Sequence, residues 1–215
     1  MSKTMRRFLL LTVLLIIGAV IITINNLGKR LTPGDPDYVA IENTLRLYLE
    51  IDAEARYTLD DSRLSEVLAN DFRGGIVGDE ELGGHYLKAV QWYKENPYIT
   101  RFGFGLLDFW HAFYAYNRAV DQIYDASISR GLMPTPLSGL PEVRELMEAT
   151  GFQTVSIQRP LPETIVPQAF EIQSITLYND LAHVVVDMYA KVDLTFAKIH
   201  GRWYIIGSRT IQSFV

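Results

Sequence analysis

Residues 182–198 read AHVVVDMYAKVDLTFAK, and this stretch alternates apolar and polar side chains more regularly than the rest of the chain. Apolar residues occupy every even position as far as Phe196, while the odd positions include His183 and Asp187. A period of two is typical of a β-strand with one buried and one solvated face. The pattern therefore predicts a single long strand over residues 182–199.

Two short reversals flank this strand and predict its neighbours. The dipeptides Asn-Asp at 179–180 and His-Gly at 200–201 consist of residues that tight turns favour. Strands at about 169–178 and 202–214 would then pair with the central strand on either side. The C-terminal part of the chain is thus predicted to form an antiparallel meander.

The residues before the meander carry helical periodicity. Apolar side chains recur every three or four residues, and glycine or proline marks several ends. The predicted helices cover about 38–57, a short stretch capped by Asp60, Asp61 or Ser62, a stretch through Tyr86, Val90 and Tyr93, about 106–130, and 141–151. Helices followed by an antiparallel sheet indicate the α+β class.

The N-terminus is predicted to be a membrane anchor. Residues 8–24 read FLLLTVLLIIGAVIITI and contain no charged side chain, and the apolar character ends at about residue 27. A helix rises about 1.5 Å per residue, so residues 8–27 would span roughly 30 Å, the thickness of the hydrocarbon core. The chain is therefore expected to cross the membrane once, as a transmembrane helix.

A cleavable secretory signal is the alternative to this anchor. The apolar region of such a signal usually covers roughly 7 to 15 residues and ends in small residues. The run in this chain is longer and ends in Ile-Ile-Thr-Ile-Asn-Asn, which favours a retained signal-anchor. Lys3, Arg6 and Arg7 precede it, whereas only Lys29 and Arg30 follow it. The positive-inside rule then favours a cytoplasmic N-terminus and an extracytoplasmic C-terminal domain.

Composition divides the chain into three parts. Residues 1–30 hold the anchor and its basic flanks, residues 31–37 form a linker with two prolines and a glycine, and residues 38–215 form one soluble domain. The first part holds five of the 20 Lys and Arg residues and no acid, which leaves 15 against 25 Asp and Glu, a formal charge of −10. Phosphate backbones would repel so acidic a domain, which argues against nucleic acid as a partner.

Several classes of chemistry are excluded by residues that the chain lacks. It contains no cysteine, so it has no disulfide, thiolate nucleophile, iron–sulfur cluster or cysteine-based zinc site. It also lacks the Gly-x-Ser-x-Gly, His-Glu-x-x-His and P-loop motifs. We therefore predict no cofactor and no metal, and the absence of a catalytic signature argues against an enzyme.

Two parts of the sequence resemble the nuclear transport factor 2-like superfamily. They are the helical segment that ends in LSEVLANDF at 64–72 and the meander that ends in KIHGRWYIIGS at 198–208. That superfamily includes the SnoaL-like polyketide cyclases and the extracytoplasmic domain of a type IV secretion assembly factor, which also has one N-terminal membrane helix. The resemblance covers roughly residues 38–72 and 168–215, and the chain departs from it in a helical insertion around 98–151.

The resemblance implies a fold but no single activity. The expected fold is a helix-rich cone closed by a curved C-terminal antiparallel sheet. The superfamily holds enzymes, binding modules and scaffolds alike, so the function has to be argued from a site.

Asp108 and His111 are the candidate catalytic residues. They lie three positions apart on the predicted helix of about 106–130, so they could share a face. The carboxylate could then orient the imidazole as a general base. A surface or capping pair is the alternative, since no motif maps these residues onto those of the cyclase-like relatives.

The polar residues of the predicted long strand are candidates for a metal site. His183, Asp187 and Asp193 lie on one side of it and are residue types that bind metals. Successive residues on one side of a strand are about 7 Å apart, and these three are not neighbours. A solvated face with cross-strand ion pairs is therefore the prediction.

The stretch 101–116 carries more aromatic residues than one helix face needs. These side chains predict a core contribution together with a hydrophobic pocket or a partner groove. The residues concerned are Phe109, Trp110, Phe113, Tyr114 and Tyr116. The RFGFG sequence at 101–105 lacks the third glycine of a dinucleotide-binding loop.

Two functions stay open at this point. The first is a membrane-tethered extracytoplasmic module that binds a protein partner or a second copy of itself, as an assembly or accessory subunit of an envelope complex. The second is a small-molecule site inside the cone, in a carrier or in an enzyme of the cyclase or isomerase kind, with Asp108 and His111 among its polar groups.

Overall fold

The structure is a computed structural model that describes residues 28–71, 73–74, 88–94, 105–131, 137–152 and 164–213. The predicted anchor at 8–27 lies outside these residues. Within the described ranges, no helix is both long and apolar enough to cross a membrane.

The described residues confirm the α+β class. The α-helices are α1 (Pro36–Thr58), α2 (Leu106–Ser129) and α3 (Pro141–Thr150), and residues 88–94 are also helical. Two 3-10 helices cover Ser62–Glu66 and Leu137–Gly139. The strands are β1 (Lys29–Arg30), β2 (Glu171–Tyr178), β3 (Leu181–Asp187), β4 (Ala190–Ile199) and β5 (Arg202–Ser213).

The stretch 182–198 forms a hairpin, so the prediction of one long strand was wrong. β3 and β4 run antiparallel, and the chain reverses at residues 188–189. Both partners of each inward-facing pair carry even numbers, as in Val186 opposite Val192. The even positions of both strands therefore share the buried face, and the alternation passes through the turn unbroken. An even–odd pattern cannot reveal a reversal that preserves its own phase.

The sheet is antiparallel throughout, in the order β1-β2-β3-β4-β5. Its four C-terminal strands confirm the predicted meander and add one hairpin to it. Its two end strands are not neighbours in this order, so the described sheet does not close on itself as a closed cone would require.

The sheet begins before the predicted start of the soluble domain at residue 38. Lys29–Arg30 pair with β2, and the amide of Leu31 donates to the carbonyl of Ile175 at 2.9 Å. The side chain of Leu31 is buried in the main core. Residues that the sequence assigned to the anchor flank and the linker are therefore part of the folded domain.

The two predicted reversals are confirmed by their backbone angles. Asn179 and His200 have φ values of 58° and 49°, and Gly201 follows with 82°. These left-handed conformations suit the two-residue turns of antiparallel hairpins. Glycine tolerates them at no steric cost, and asparagine tolerates them better than most residues.

The helix limits follow the predicted signals closely. Pro141 opens α3, and Gly151 ends it with φ 76° and an amide that donates to the carbonyl of Met147. α2 ends at Ser129, and the predicted capping residue Gly131 has φ 75°. The short helix predicted after residue 60 is a 3-10 helix.

α2 separates two hydrophobic cores. The main core lies between α1 and the sheet and contains Leu45 of α1 and Phe196 of β4. A smaller core lies on the other side of α2 and contains Val120 of α2 and Phe152 after α3. Ala89 and Val90 also belong to this smaller core, so residues on both sides of α2 in the sequence contribute to it.

Asp37 fixes the start of α1 to the end of the sheet where β4 turns into β5. Its carboxylate accepts hydrogen bonds from Lys198 Nζ at 2.7 Å and from Trp203 Nε1 at 3.0 Å. These two bonds lower the pKa of Asp37, and Lys198 contributes most. α1 therefore runs from this end of the sheet towards the β3–β4 turn.

Candidate functional site

A cavity of about 470 Å³ lies between α1, the start of α2 and the inner face of β4 and β5. We call it the α1–sheet cavity. Its volume falls within the roughly 300–1,000 Å³ of small-molecule sites. Its apolar lining includes Leu49, Ala53, Leu106, Phe109, Trp110, Leu194 and Ile205. Its polar lining includes Tyr48, Asp52, Arg56, Tyr57, Tyr189, Ser208 and Thr210.

The spacing of residues along α1 explains why they line this cavity. Tyr48, Asp52 and Arg56 recur every four residues, so they follow one stripe along the helix. Leu49 and Ala53 form the adjoining stripe. Because the stripe ends beside the β3–β4 turn, the polar groups gather at that end of the cavity.

The start of α2 supplies the apolar wall and is held by the preceding chain. The side-chain oxygen of Asn70 accepts a hydrogen bond from the amide of Asp108 at 3.0 Å, which caps the helix. A Cβ atom at Gly105 would overlap Asn70, so this close approach requires glycine. The cap holds the N-terminal end of α2, which carries Phe109 and Trp110, against the preceding chain.

Asp52 is the buried polar centre of the cavity. Asp52 is 6% exposed, and its two carboxylate oxygens have different partners. Oδ2 accepts a hydrogen bond from Arg56 Nε at 2.8 Å, and Oδ1 accepts one from the Tyr114 hydroxyl at 3.3 Å. We call these three residues the Asp52 cluster.

Burial dominates the electrostatics of this cluster. Desolvation raises the pKa of Asp52, and the attraction and hydrogen bond of Arg56 offset only part of that effect. Burial also raises the pKa of Tyr48 and of Tyr114, so both phenols keep their protons. Burial alone would lower the pKa of Arg56, but Asp52 outweighs it and the pKa is raised. The guanidinium therefore stays charged.

The predicted pair of Asp108 and His111 does not form. Asp108 Oδ2 instead makes an ion pair with Lys94 Nζ at 2.8 Å. His111 Nδ1 lies 2.5 Å from Asp61 Oδ2, and its ring stacks on Tyr93. Neither Asp108 nor His111 lines the α1–sheet cavity. The hypothesis of a general base oriented by Asp108 was therefore wrong in its partner.

Asp61 is a second buried carboxylate, with two basic partners from α2. Besides His111, Arg118 donates through Nη1 to Asp61 Oδ1 at 2.6 Å and to the carbonyl of Leu59 at 2.6 Å. Burial alone would raise the pKa of Asp61, but the hydrogen bonds from His111 and Arg118 outweigh it and the pKa is lowered. The Asp61 cluster (Asp61, His111 and Arg118) ties the chain after α1 to α2.

The predicted aromatic surface is for the most part core. Tyr114 and Tyr116 are fully buried, and Phe113 packs against both cores. Phe109 and Trp110 are partly exposed and line the α1–sheet cavity. A contiguous exposed patch does not form from these five residues.

The polar face of the hairpin matches the prediction of cross-strand pairs. His183 Nδ1 lies 3.4 Å from Asp193 Oδ1, and Arg209 contacts the same carboxylate at 3.1 Å. Asp187 instead accepts a hydrogen bond from Gln173. Among the described residues, no group of three or more His, Asp or Glu side chains could hold a metal ion.

Sequence reasoning missed Asp52. The signal was an acidic residue placed between the apolar Ile51 and Ala53 on the wide buried face of α1, while its neighbours Glu50 and Glu54 face solvent. A carboxylate that breaks an apolar helix face is expected to be partnered or functional. The partner Tyr114 comes from a distant helix, so spacing could not identify it.

Comparison with known proteins adds no further assignment, since the chain matches no protein-family model, no curated protein and no solved structure. The resemblance to the nuclear transport factor 2-like superfamily stays a prediction. The site geometry is therefore the basis for any functional proposal.

Proposed function

We propose that the domain binds a small, mainly apolar molecule with one polar group in the α1–sheet cavity. The observation that carries this proposal is a cavity of about 470 Å³ with apolar walls and a buried Asp52–Arg56 pair at one end. Ligand sites combine such walls with a few convergent polar groups. The apolar body would lie between Leu49 and Leu194, and its polar group would face the Asp52 cluster.

The buried carboxylate itself supports a binding role. A carboxylate out of water costs stability unless its hydrogen bonds and charges are matched. The pKa of Asp52 is raised in spite of Arg56, so the fold contains a carboxyl group whose ionised form its surroundings disfavour. Perturbed groups of this kind concentrate at functional sites. A cyclase or isomerase reaction in the same cavity is an extension of this proposal that binding does not require.

We also propose that this domain lies outside the cytoplasm, tethered by a single N-terminal membrane helix at residues 8–27. The supports for this proposal are the apolar run and the distribution of Lys and Arg around it. The acidic domain would stand away from anionic lipid headgroups. A tethered domain of this kind could hold or present a small molecule close to the membrane.

Cavity filling tests the binding proposal. The Ala53→Phe substitution places a ring in the cavity, whereas Ala126→Phe adds the same ring at an exposed position of α2. We expect phenylbutanol to raise the melting temperature of the full-length chain and of Ala126→Phe but not of Ala53→Phe. Equal stabilisation of both variants would contradict the proposal.

The absence of native cysteine makes the tether testable. A single cysteine at Ser129→Cys, at the exposed end of α2, should react with a membrane-impermeant maleimide on intact cells. A cysteine at Ser2→Cys should react only after the membrane is broken. The reverse pattern would contradict the proposed orientation, and release of the domain without detergent would contradict the anchor.

A protein partner at the cavity mouth is a second candidate function. Val166 and Tyr189 line the cavity and are 77% and 63% exposed, which is unusual for large apolar side chains. A photoreactive amino acid in place of Tyr189 should crosslink a partner or a second copy of the chain. A monomer without crosslinks in its native membrane would remove this candidate and leave the small-molecule proposal intact.

A further inference from the structure

The polar end of the α1–sheet cavity presents a positive charge even though its charged residues form a neutral pair. The side chain of Asp52 is 9% exposed, whereas that of Arg56 is 50% exposed. The pair therefore leaves its cation accessible to solvent and shields its anion. The pair is asymmetric, and its accessible member is the cation.

The hydrogen bond between the two residues leaves most of the guanidinium available. Arg56 donates to Asp52 through Nε alone. Among the described residues, this bond leaves the terminal nitrogens Nη1 and Nη2 for another acceptor. Their two parallel N–H bonds match the two oxygens of a carboxylate. Asp52 restricts the orientation of the fork and so reduces the entropy lost when a ligand binds.

Tyr48 extends the same recognition surface, since it lines the cavity together with Arg56. Asp52 and Tyr189 line the cavity as well, so Tyr48 lies among the polar groups of this end. Tyr48 keeps its proton, so its hydroxyl can donate to an anion. An amine would meet Arg56 as a like charge, and an alcohol could use only part of the fork. The donors at this end therefore favour an acceptor with two oxygens.

Resting on the binding proposal above, we infer that the α1–sheet cavity binds an organic monocarboxylate, with its carboxylate on the Arg56 fork and its apolar body against Leu106, Trp110 and Leu194. The acidity of the rest of the domain affects which anions can bind. The excess of Asp and Glu repels anions in general, so a carboxylate binds only where the local cation and an apolar part that fits the cavity together outweigh this repulsion.

Three ligands of matched size test the inference on the full-length chain. They are phenylbutyrate, phenylbutanol and phenylbutylamine, which share one apolar body and differ in their polar group. Titration calorimetry gives the affinity of each. We expect phenylbutyrate to bind about tenfold or more tightly than phenylbutanol, as a charge-assisted bidentate contact implies, and phenylbutylamine to bind most weakly.

Variants of two arginines on the same helix separate charge from position. Arg56→Gln should remove the advantage of the acid and leave the alcohol affinity within about twofold, and Arg56→Lys should restore only part of the advantage. Arg46→Gln makes the same change at a residue of α1 that pairs with Glu42 outside the cavity. It should change neither affinity.

The outcomes distinguish this inference from the proposal on which it rests. Equal affinities for acid and alcohol, or an equal loss of both in Arg56→Gln, would overturn the carboxylate inference and leave the binding site in place. Preference for the amine would overturn it in favour of Asp52 as the recognition group. Failure of all three ligands to bind would overturn the binding proposal and the inference together.

Discussion

Asp52 and Asp61 are carboxylates of similar burial whose surroundings act on them in opposite directions. Asp61 accepts short hydrogen bonds from His111 and Arg118, and its pKa is lowered. Burial raises the pKa of Asp52, and its one basic partner Arg56 and the Tyr114 hydroxyl at 3.3 Å offset only part of that effect. Burial alone therefore does not determine what an acidic residue does. The number of basic partners distinguishes a structural carboxylate from one that can take part in recognition.

The location of each cluster fits this difference. The Asp61 cluster joins the chain after α1 to the middle of α2, away from the α1–sheet cavity. The Asp52 cluster lies in the cavity lining. If the distinction is correct, substitutions at Asp61 should change stability, and substitutions at Asp52 and Arg56 should change ligand binding.

Replacing Asp61 should have the largest effect on stability. Asp61→Ala leaves His111 and Arg118 without their anion in a half-buried position, so we expect the free energy of unfolding to fall by about 3 kcal/mol. Urea denaturation measures it. A loss below about 1 kcal/mol would show that the Asp61 cluster is not the structural one of the two.

Replacing Asp52 should cost much less. In Asp52→Asn the amide keeps an acceptor for Arg56, the desolvated charge disappears, and Arg56 is exposed enough for water to solvate it. We expect a change of about 1 kcal/mol or less in the free energy of unfolding, and phenylbutyrate should bind at least as tightly as to the native chain, because Arg56 keeps an acceptor and a like charge beside the ligand is removed. A stability loss as large as that of Asp61→Ala would erase the distinction.

The pH dependence of stability should have opposite signs at the two sites. The folded-state pKa of Asp61 lies below its ordinary value of 3.8, so its contribution is complete above that value and is lost as the pH falls through the folded pKa. The pKa of Asp52 lies above 3.8, so its ionised form costs stability, and this cost is relieved as the pH falls through its folded pKa.

Urea denaturation from roughly pH 3 to pH 7 measures both dependences when each variant is subtracted from the native chain. Towards low pH, the native chain should lose its advantage over Asp61→Asn. It should gain stability relative to Asp52→Asn over the same range. Difference curves with the same slope would contradict the assigned directions.

The smallest effect is expected at Asp108. Its ion pair with Lys94 is partly exposed, so Asp108→Asn should change the free energy of unfolding by about 0.5 kcal/mol or less. The ring ¹⁵N shifts of His111, which report the nitrogen that carries the proton, should change in Asp61→Asn and stay the same in Asp108→Asn. The opposite result would restore the predicted pair of Asp108 and His111.

Patterns of local origin predicted most of the fold. The limits of α1, α2 and α3, the reversal at 179–180 and the reversal at 200–201 follow from periodicity and from glycine and proline signals. The β3–β4 turn was not predicted, because the alternation of apolar and polar residues keeps the same even–odd phase on both sides of it. β1 was not predicted, because two residues are too few to show an alternation of apolar and polar side chains. Only its pairing with β2 defines it as a strand.

The site was less predictable because tertiary contacts define it. Phe109 and Trp110 were identified as possible pocket residues by their abundance, and they line the cavity. The choice of Asp108 as the partner of His111 followed from helical spacing, whereas Asp61 reaches His111 from outside the helix. No spacing rule brings α1 residue Asp52 to Tyr114. The relation appears only when both helices pack on the sheet.

The most direct test of the central claim is a map of ligand contacts on the methyl groups of the two cores. Leu49, Leu194 and Ile205 belong to the main core and line the α1–sheet cavity, while Val120 of the smaller core and the buried Val143 of α3 do not line it. We predict that phenylbutyrate shifts the methyl NMR signals of the first three residues and leaves the two valines unchanged. Shifts confined to Val120 and Val143, or no shift at saturating ligand, would contradict the account.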